Sequence, residues 1–470
     1  MLDPFRAGRL LGFETMETCR LALLGIVLFS LLFLTASPVA AISEADRLWL
    51  VGSQAFNDQL YGVARRTLSR FVLRHPKDPR VPVAVLLLAK THLALGELER
   101  AVSSFRQAQR FPTRAGESGE AQFLEGKTLL QLRRYAQAQA AFEAVLREPA
   151  SPLAPDALYG LGWAALHQNQ LEPAVRAFRQ LLSGWPAYPT APAATYHLAR
   201  ALAELKRPAE VRTALAAYET IYPDSPWLAD ALYLRGWSQL TLGQLEAAIN
   251  TLQNFLARAP THELVPQAQL HLAEALLRQG KQAEGLQQLQ TLLSASPATV
   301  EILYETGLLA QRLEHPAEAE QAWRRLQAEF PTHSLTHRAS LELARAAFAR
   351  QRYTDTLAAA TAATASADLQ VRLEARLLSG ESLLQLKRDN AALREFKTAV
   401  EESPSDHPLR LRAVAGLGLA HERLQQWTEA GRLYRQLANS RDAVLKKWAM
   451  ERLKAIEAQR NRSGSGKMLR

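Results

Sequence analysis

The chain has 470 residues, 48% of them apolar, a formal net charge of +10 and one cysteine. The apolar residues recur at helical spacing, which excludes disorder, and no run of alternating β-branched residues is long enough for a strand. The positive surplus is spread among interleaved acids, which excludes a nucleic-acid-binding stripe and reads as a solvated surface.

Residues 1–41 differ from all that follows. Leu21–Leu34 is an uninterrupted apolar run behind Arg20, and Ser37-Pro-Val-Ala-Ala41 supplies small residues before Ile42. A charged flank, an apolar core and a small-residue exit make a secretory signal peptide cleaved before Ile42, so the sequence predicts a periplasmic protein. Met16 offers a second start, with a more ordinary charged flank. The rival reading is an uncleaved inner-membrane anchor, although a run of about 14–16 residues is short for a span of roughly 20. Cys19 precedes the run, where no lipid would be attached. Cleavage would leave no cysteine, excluding disulfides, thiolate metal sites and cysteine nucleophiles.

From residue 42 to 440 one pattern recurs. A small residue stands at Gly52, Ala89, Gly126, Gly162, Ala199, Gly236, Ala273, Gly307, Ala344, Gly380 and Gly418, at intervals of 34 to 38 residues. Twelve residues after Gly162 comes Ala174, and four later Phe178. The same two columns hold Ala101 with Phe105, Ala138 with Phe142, Ala319 with Trp323, Ala392 with Phe396 and Ala430 with Tyr434. A spacing of four keeps both columns on one helix face. Pro76, Pro112, Pro149, Pro186, Pro223, Pro260, Pro297, Pro331 and Pro404 then end the unit, because proline cannot continue a helix. Each unit is a helical hairpin that must stack on its neighbours to bury its apolar side.

These columns resemble the tetratricopeptide repeat over roughly residues 45–440. The resemblance implies an all-α, right-handed α-solenoid of about eleven hairpins. The 36–37-residue period and links such as Tyr222-Pro-Asp-Ser-Pro226 are similar to periplasmic members such as the Tol-Pal-associated cell-division coordinator and the outer-membrane barrel-assembly lipoprotein. The chain lacks the N-terminal coiled coil of the first and the lipid-attachment cysteine of the second. The ninth unit has Ala360 where others carry a large residue, and no proline stop, which predicts a soft joint. A capping helix is expected over 441–460, with Val444, Leu445, Trp448, Ala449, Leu453 and Ile456 on its apolar side. Residues 461–470 are expected to be a disordered basic tail.

By the same resemblance, the first helix of each hairpin lines a partner-binding groove. Its positions lie three before and one after the small residue, with the position four beyond that. The candidates are Lys90, Lys127, Tyr159, Trp163, Tyr196, Arg200, Tyr233 and Trp237, in which aromatic rings beside cations have the composition of an interface hot spot. The cations would meet a carboxylate of an extended peptide or chain terminus. The competing reading packs the aromatics against a neighbouring repeat.

No catalytic set is visible. Gly160-x-Gly162 and Gly416-x-Gly418 follow no strand and read as packing glycines rather than phosphate loops. The eleven histidines look scattered, and His333-x3-His337 lacks a third ligand, so no metal and no cofactor are expected. The chain reads as a non-enzymatic periplasmic scaffold for envelope proteins or peptide segments, with membrane contact only through an uncleaved N-terminal segment. An inner-membrane-anchored adaptor of a secretion or exopolysaccharide export assembly is the alternative. A peptidoglycan- or carbohydrate-binding protein stacking sugars on Trp163 and Trp237 is the third. Nothing in the sequence sets the oligomeric state.

Overall fold

The computed structural model describes residues 42–111, 117–148 and 151–465, which form helices and turns with no strand among them. The segment 1–41 with its apolar run and Cys19, the prolines 112 and 149, and residues 466–470 lie outside the described residues. The chain divides into two compact units, Met1–Ala194 and Thr195–Arg470.

The first unit holds four hairpins: Glu44–Asn57 with Tyr61–Arg74, Val81–Ala94 with Leu98–Ala108, Glu117–Gln131 with Tyr135–Leu146, and Ala154–His167 with Leu171–Gly184. The division between units falls within the next helix, Ala191–Glu204, whose partner is split into Pro208–Ala214 and Tyr218–Ile221. The second unit continues with Leu228–Thr241 and Leu245–Arg258, Val265–Arg278 and Gln282–Ser294, and Val300–Arg312 and Pro316–Glu329. Then come Ser334–Ala349 and Tyr353–Ala363, Leu369–Gln385 and Asp389–Glu402, Pro408–Arg423 and Trp427–Ala438, and a closing helix, Ala443–Ser465. Among the described residues the hairpins number eleven, as the small-residue column predicts.

Each hairpin turns at one backbone position, seven residues beyond the small residue. There φ is positive in Gln59, Gly96, Arg133, Asn169, Lys206, Gly243, Gly280, Glu314, Gln351, Lys387 and Gln425. The left-handed residue ends the first helix by letting later N–H groups reach back to its last carbonyls. In the fourth hairpin Asn169 N–H donates to Leu166 O and Gln170 N–H to Ala165 O, both at 2.9 Å. The described prolines stop second helices as expected: Gly184 is the last helical residue before Pro186, and Arg258 before Pro260.

First helices are started by a second column, eleven residues before the small residue. Asp78, Ser151, Ser225, His262, His333 and His407 each accept a backbone N–H from the residue two further on. His333 and His407 are themselves N-caps and satisfy a donor that the helix start leaves orphaned, whereas the other four close a turn just ahead of the helix. Three of the histidines that look scattered in sequence therefore share one structural role. His333 is a cap and His337 Nδ1 lies 3.0 Å from Ala362 O, so the two are not a ligand pair.

The core is a row of small clusters in which each small residue faces the large one sixteen positions later. Phe105, Phe142, Phe178, Trp323, Phe396 and Tyr434 are all fully buried. In the ninth hairpin Ala344 and Ala360 are both fully buried, sharing a cluster with Ala363, Val371 and Ala375. Here two small side chains stand where a small and a large one face each other in other hairpins. The closing helix buries Ala449 and Ile456, and Trp448 meets the Tyr434 ring edge-on at 5.3 Å. Val444, expected on its apolar side, is 78% exposed. The helix also continues to Ser465, into the stretch expected to be flexible.

Candidate functional site

The first-helix positions were expected to form one groove, and the structure gives them three different fates. The tyrosines turn inward. In the first unit the Tyr159 ring lies 6.0 Å from Phe178, tilted against the key aromatic of its own hairpin. Phe123 with Phe142 repeats that contact at 6.0 Å, and Trp49 meets Phe71, three residues beyond the key position, at 5.9 Å. In the second unit Tyr233 meets Phe255 at 6.2 Å, stacks on His271 at 5.7 Å, and has its hydroxyl 3.2 Å from His271 Nε2. Tyr196 is 8% exposed and stacks on Trp227 at 4.9 Å, nearly parallel. Burial raises the pKa of all three phenols, that of Tyr233 to about 12. These rings therefore chiefly pack the array and lend the groove little more than an edge.

The charged residues of the second position mostly tie one repeat to the next. Lys90 pairs with Glu120 at 2.7 Å, Arg345 with Glu374, and Glu381 with Arg412 at 3.2 Å. Each partner stands six residues before the next small residue, so the register between neighbouring first helices sets the pairing. Asp230 holds that place one repeat beyond Arg200. Burial raises the Asp230 carboxyl, opposed chiefly by His262 and also by Arg200. Arg200 Nε additionally lies 3.8 Å from Glu204.

Lys127, Trp163 and Trp237 occupy the same position in three further hairpins. The exposed Lys127 ammonium stands 5.6 Å from the Phe123 ring one turn back, a cation–π contact. Trp163 is half-buried and meets His167 edge-on at 4.9 Å, and His167 stacks on Tyr135 at 4.7 Å with the rings within 5° of parallel. Trp237 is likewise half-buried. The sequence reading missed His167, Tyr135, Trp227 and His271. His167 alone had a signal, since it lies four residues beyond Trp163 on the same helix face.

Among the described residues no group of three or more His, Cys, Asp or Glu side chains could hold a metal ion. No described helix is long and apolar enough to cross a membrane.

Stacked hairpins presenting ring edges and cations from their first helices define a repeat scaffold for protein–protein interaction. A family model described as "Tetratricopeptide repeat" matches residues 52–115, 123–192, 172–226, 233–298 and 304–370, more than half of the chain. The chain belongs to the tetratricopeptide repeat family, an interaction-scaffold family without catalytic function whose members bind peptides or other proteins. No curated protein matches. Among solved structures it is similar to PilW, a type IV pilus biogenesis factor (21% identity, 47% of this chain and 98% of that one, TM-score 0.37). It is also similar to YrrB, described as having an unusual peptide-binding site (20%, 43% and 96%, TM-score 0.36). A tetratricopeptide repeat protein from Parabacteroides merdae matches at 16%, covering 57% of this chain and 98% of that one, with TM-score 0.37.

Proposed function

We propose that this chain is a non-enzymatic periplasmic scaffold of the bacterial cell envelope that holds extended segments of envelope proteins on its first helices. One observation carries the reading. Lys127, Trp163 and Trp237 share one first-helix position and present an exposed ammonium and two partly exposed indoles. Aromatic and cationic groups of this kind anchor a chain whose backbone and carboxylates need partners. The periplasmic setting rests on the signal-peptide pattern of residues 1–41.

Pull-down from an envelope extract with Trp163→Ala and Trp237→Ala tests the groove. Recovery of the partner should fall while helical content by circular dichroism stays the same. Undiminished recovery places the binding surface elsewhere, and a loss of helix assigns the indoles to packing. N-terminal sequencing of the mature protein tests the location: a start at Ile42 supports export with cleavage, and an intact Leu21–Leu34 supports the anchored export adaptor.

A further inference from the structure

Tyr61–Arg74, in the first hairpin, is the only described second helix without a carboxylate, and it carries Arg65, Arg66, Arg70 and Arg74. Two of these charges are held within the array, Arg65 by Glu97 of the next hairpin and Arg74 by Glu44. Other acids close by in the chain are taken too, since Asp46 and Asp78 both pair with Arg80, at 2.8 and 2.7 Å. Arg66 and Arg70 are exposed and make no ion pair or hydrogen bond among the described residues. The Arg70 charge acts on Glu44 only from a distance.

Leu73 stands three residues from Arg70 and seven from Arg66, on the same helix face and opposite the buried Ala64, Leu68 and Phe71. It is 81% exposed, more than any other large apolar side chain among the described residues. The other hairpins put a polar or small residue at this position, twenty-one beyond the small-residue column, as in Arg110, Ser183, Thr220, Ser294, Glu401 and Asn439. Water rewards the two guanidiniums but not the leucine between them.

We propose that this face docks the first hairpin onto a bilayer surface that contains anionic phospholipid. Leu73 enters the headgroup layer, and the Arg66 and Arg70 guanidiniums donate to lipid phosphates while their stems lie along the apolar boundary. The position of the patch in the chain favours lipid over an acidic protein. Glu44, which holds the end of the arginine helix through Arg74, comes ten residues after Leu34, the end of the apolar run. An apolar run that reaches the membrane brings this corner of the hairpin to its surface. The patch lies on a second helix and does not depend on the groove.

Vesicle flotation tests this with the chain from Ile42 onward, so that the apolar run takes no part; every described helix is kept, because the first begins at Glu44. Phosphatidylcholine vesicles containing phosphatidylglycerol should bind the chain roughly fivefold or more tightly than pure phosphatidylcholine, and salt should weaken the difference. A basic residue beside an anionic surface is worth about fivefold in affinity, so Arg66→Gln with Arg70→Gln should lower binding on the order of twentyfold. Leu73→Ser should lower it roughly fivefold and leave the salt dependence as it was. Glutamine and serine occupy the same columns in Gln321, Gln180 and Ser183, so the variants keep the fold. Equal binding to both kinds of vesicle, or binding unchanged in both variants, overturns the proposal. Binding that needs the arginines but not Leu73 assigns the patch to an acidic protein surface, and binding that needs Leu73 alone is apolar adsorption; either result overturns the bilayer reading.

Discussion

Gly162 lies directly against the ring of Phe178: a Cβ there would come within 2.6 Å of Phe178 Cε1. The Phe142 ring is held from two sides, with a Cβ on Gly126 reaching 2.7 Å from Cε1 and one on Gly160 reaching 2.5 Å from Cζ. Phe396 stands in the same way between Gly380 and Gly416. One glycine belongs to the ring's own hairpin and the other to the next, so a single aromatic side chain locks two repeats. This is why Gly160 and Gly416, both inside helices, are glycines at all.

Gly162→Ala should lower stability by about 1–3 kcal/mol, because the added methyl overpacks a ring with no free side to move toward. Gly62, inside Tyr61–Arg74, is the control, since a Cβ there meets nothing within 4 Å. Gly62→Ala should raise stability by about 0.5–1 kcal/mol through helix propensity alone. Denaturant unfolding of the two variants reads opposite signs.

The hairpin turns allow a gain. Lys206 is exposed and holds φ at 57°. That conformation costs an L-residue roughly 1–2 kcal/mol, and the extra chain entropy of glycine returns about half of it. Lys206→Gly should therefore stabilise by about 0.5–1 kcal/mol. Gly243→Ala, at φ 74°, should destabilise. Thermal unfolding of both checks the turn rule.

Tyr233 and His271 make stability depend on pH at both ends. Burial lowers the His271 pKa against a weaker opposing pull from Glu274, so its folded form favours the neutral ring. That contribution is present above the ordinary histidine range near 6.5 and is lost as pH falls below it. Burial, with the Glu305 charge, pushes Tyr233 up to about 12. Its contribution is complete below pH 10 and is lost as pH rises from 10 through 12. Denaturation midpoints from pH 5 to 8 should rise, and Tyr233→Phe should remove one of the late tyrosinate steps in an ultraviolet titration, Tyr188 and Tyr218 being pushed up to about 12 as well.

Two lysines at equivalent positions should behave differently. Lys90→Ala breaks the contact with Glu120 and should cost at most about 1 kcal/mol, less at high salt. Lys127→Ala should leave stability unchanged and reduce partner recovery. Equal recovery from both variants would remove Lys127 from the groove.

Ala344 and Ala360 of the ninth hairpin are fully buried, so enlarging one of them should harm it. Ala360→Phe forces a ring between two helices already in contact and should destabilise by about 1–3 kcal/mol. A stabilised variant would restore the idea of a loose joint.

The repeat itself was legible because it is local. Gly162, Ala174 and Phe178 lie within one hairpin, and a column of eleven small residues marks the period wherever the chain is entered. The turn seven residues beyond was not legible, since Arg133, Lys206 and Glu314 carry no preference for positive φ. The acceptor column ahead of the first helices was hidden for a similar reason. Asp78, Ser225 and His262 share an acceptor atom, not a residue type, so histidines that are caps look like scattered histidines.

The amino-acid sequence by itself determined the fold, the number of hairpins and the face of each first helix. Spacings of three and four within a helix carry those, and they require no knowledge of the neighbours. Only the tertiary structure decided what each face does. Tyr196 is buried by Trp227, thirty-one positions away, and Lys90 is occupied by Glu120, thirty positions away. Those relations depend on the register between successive repeats, which packing sets and no single hairpin contains.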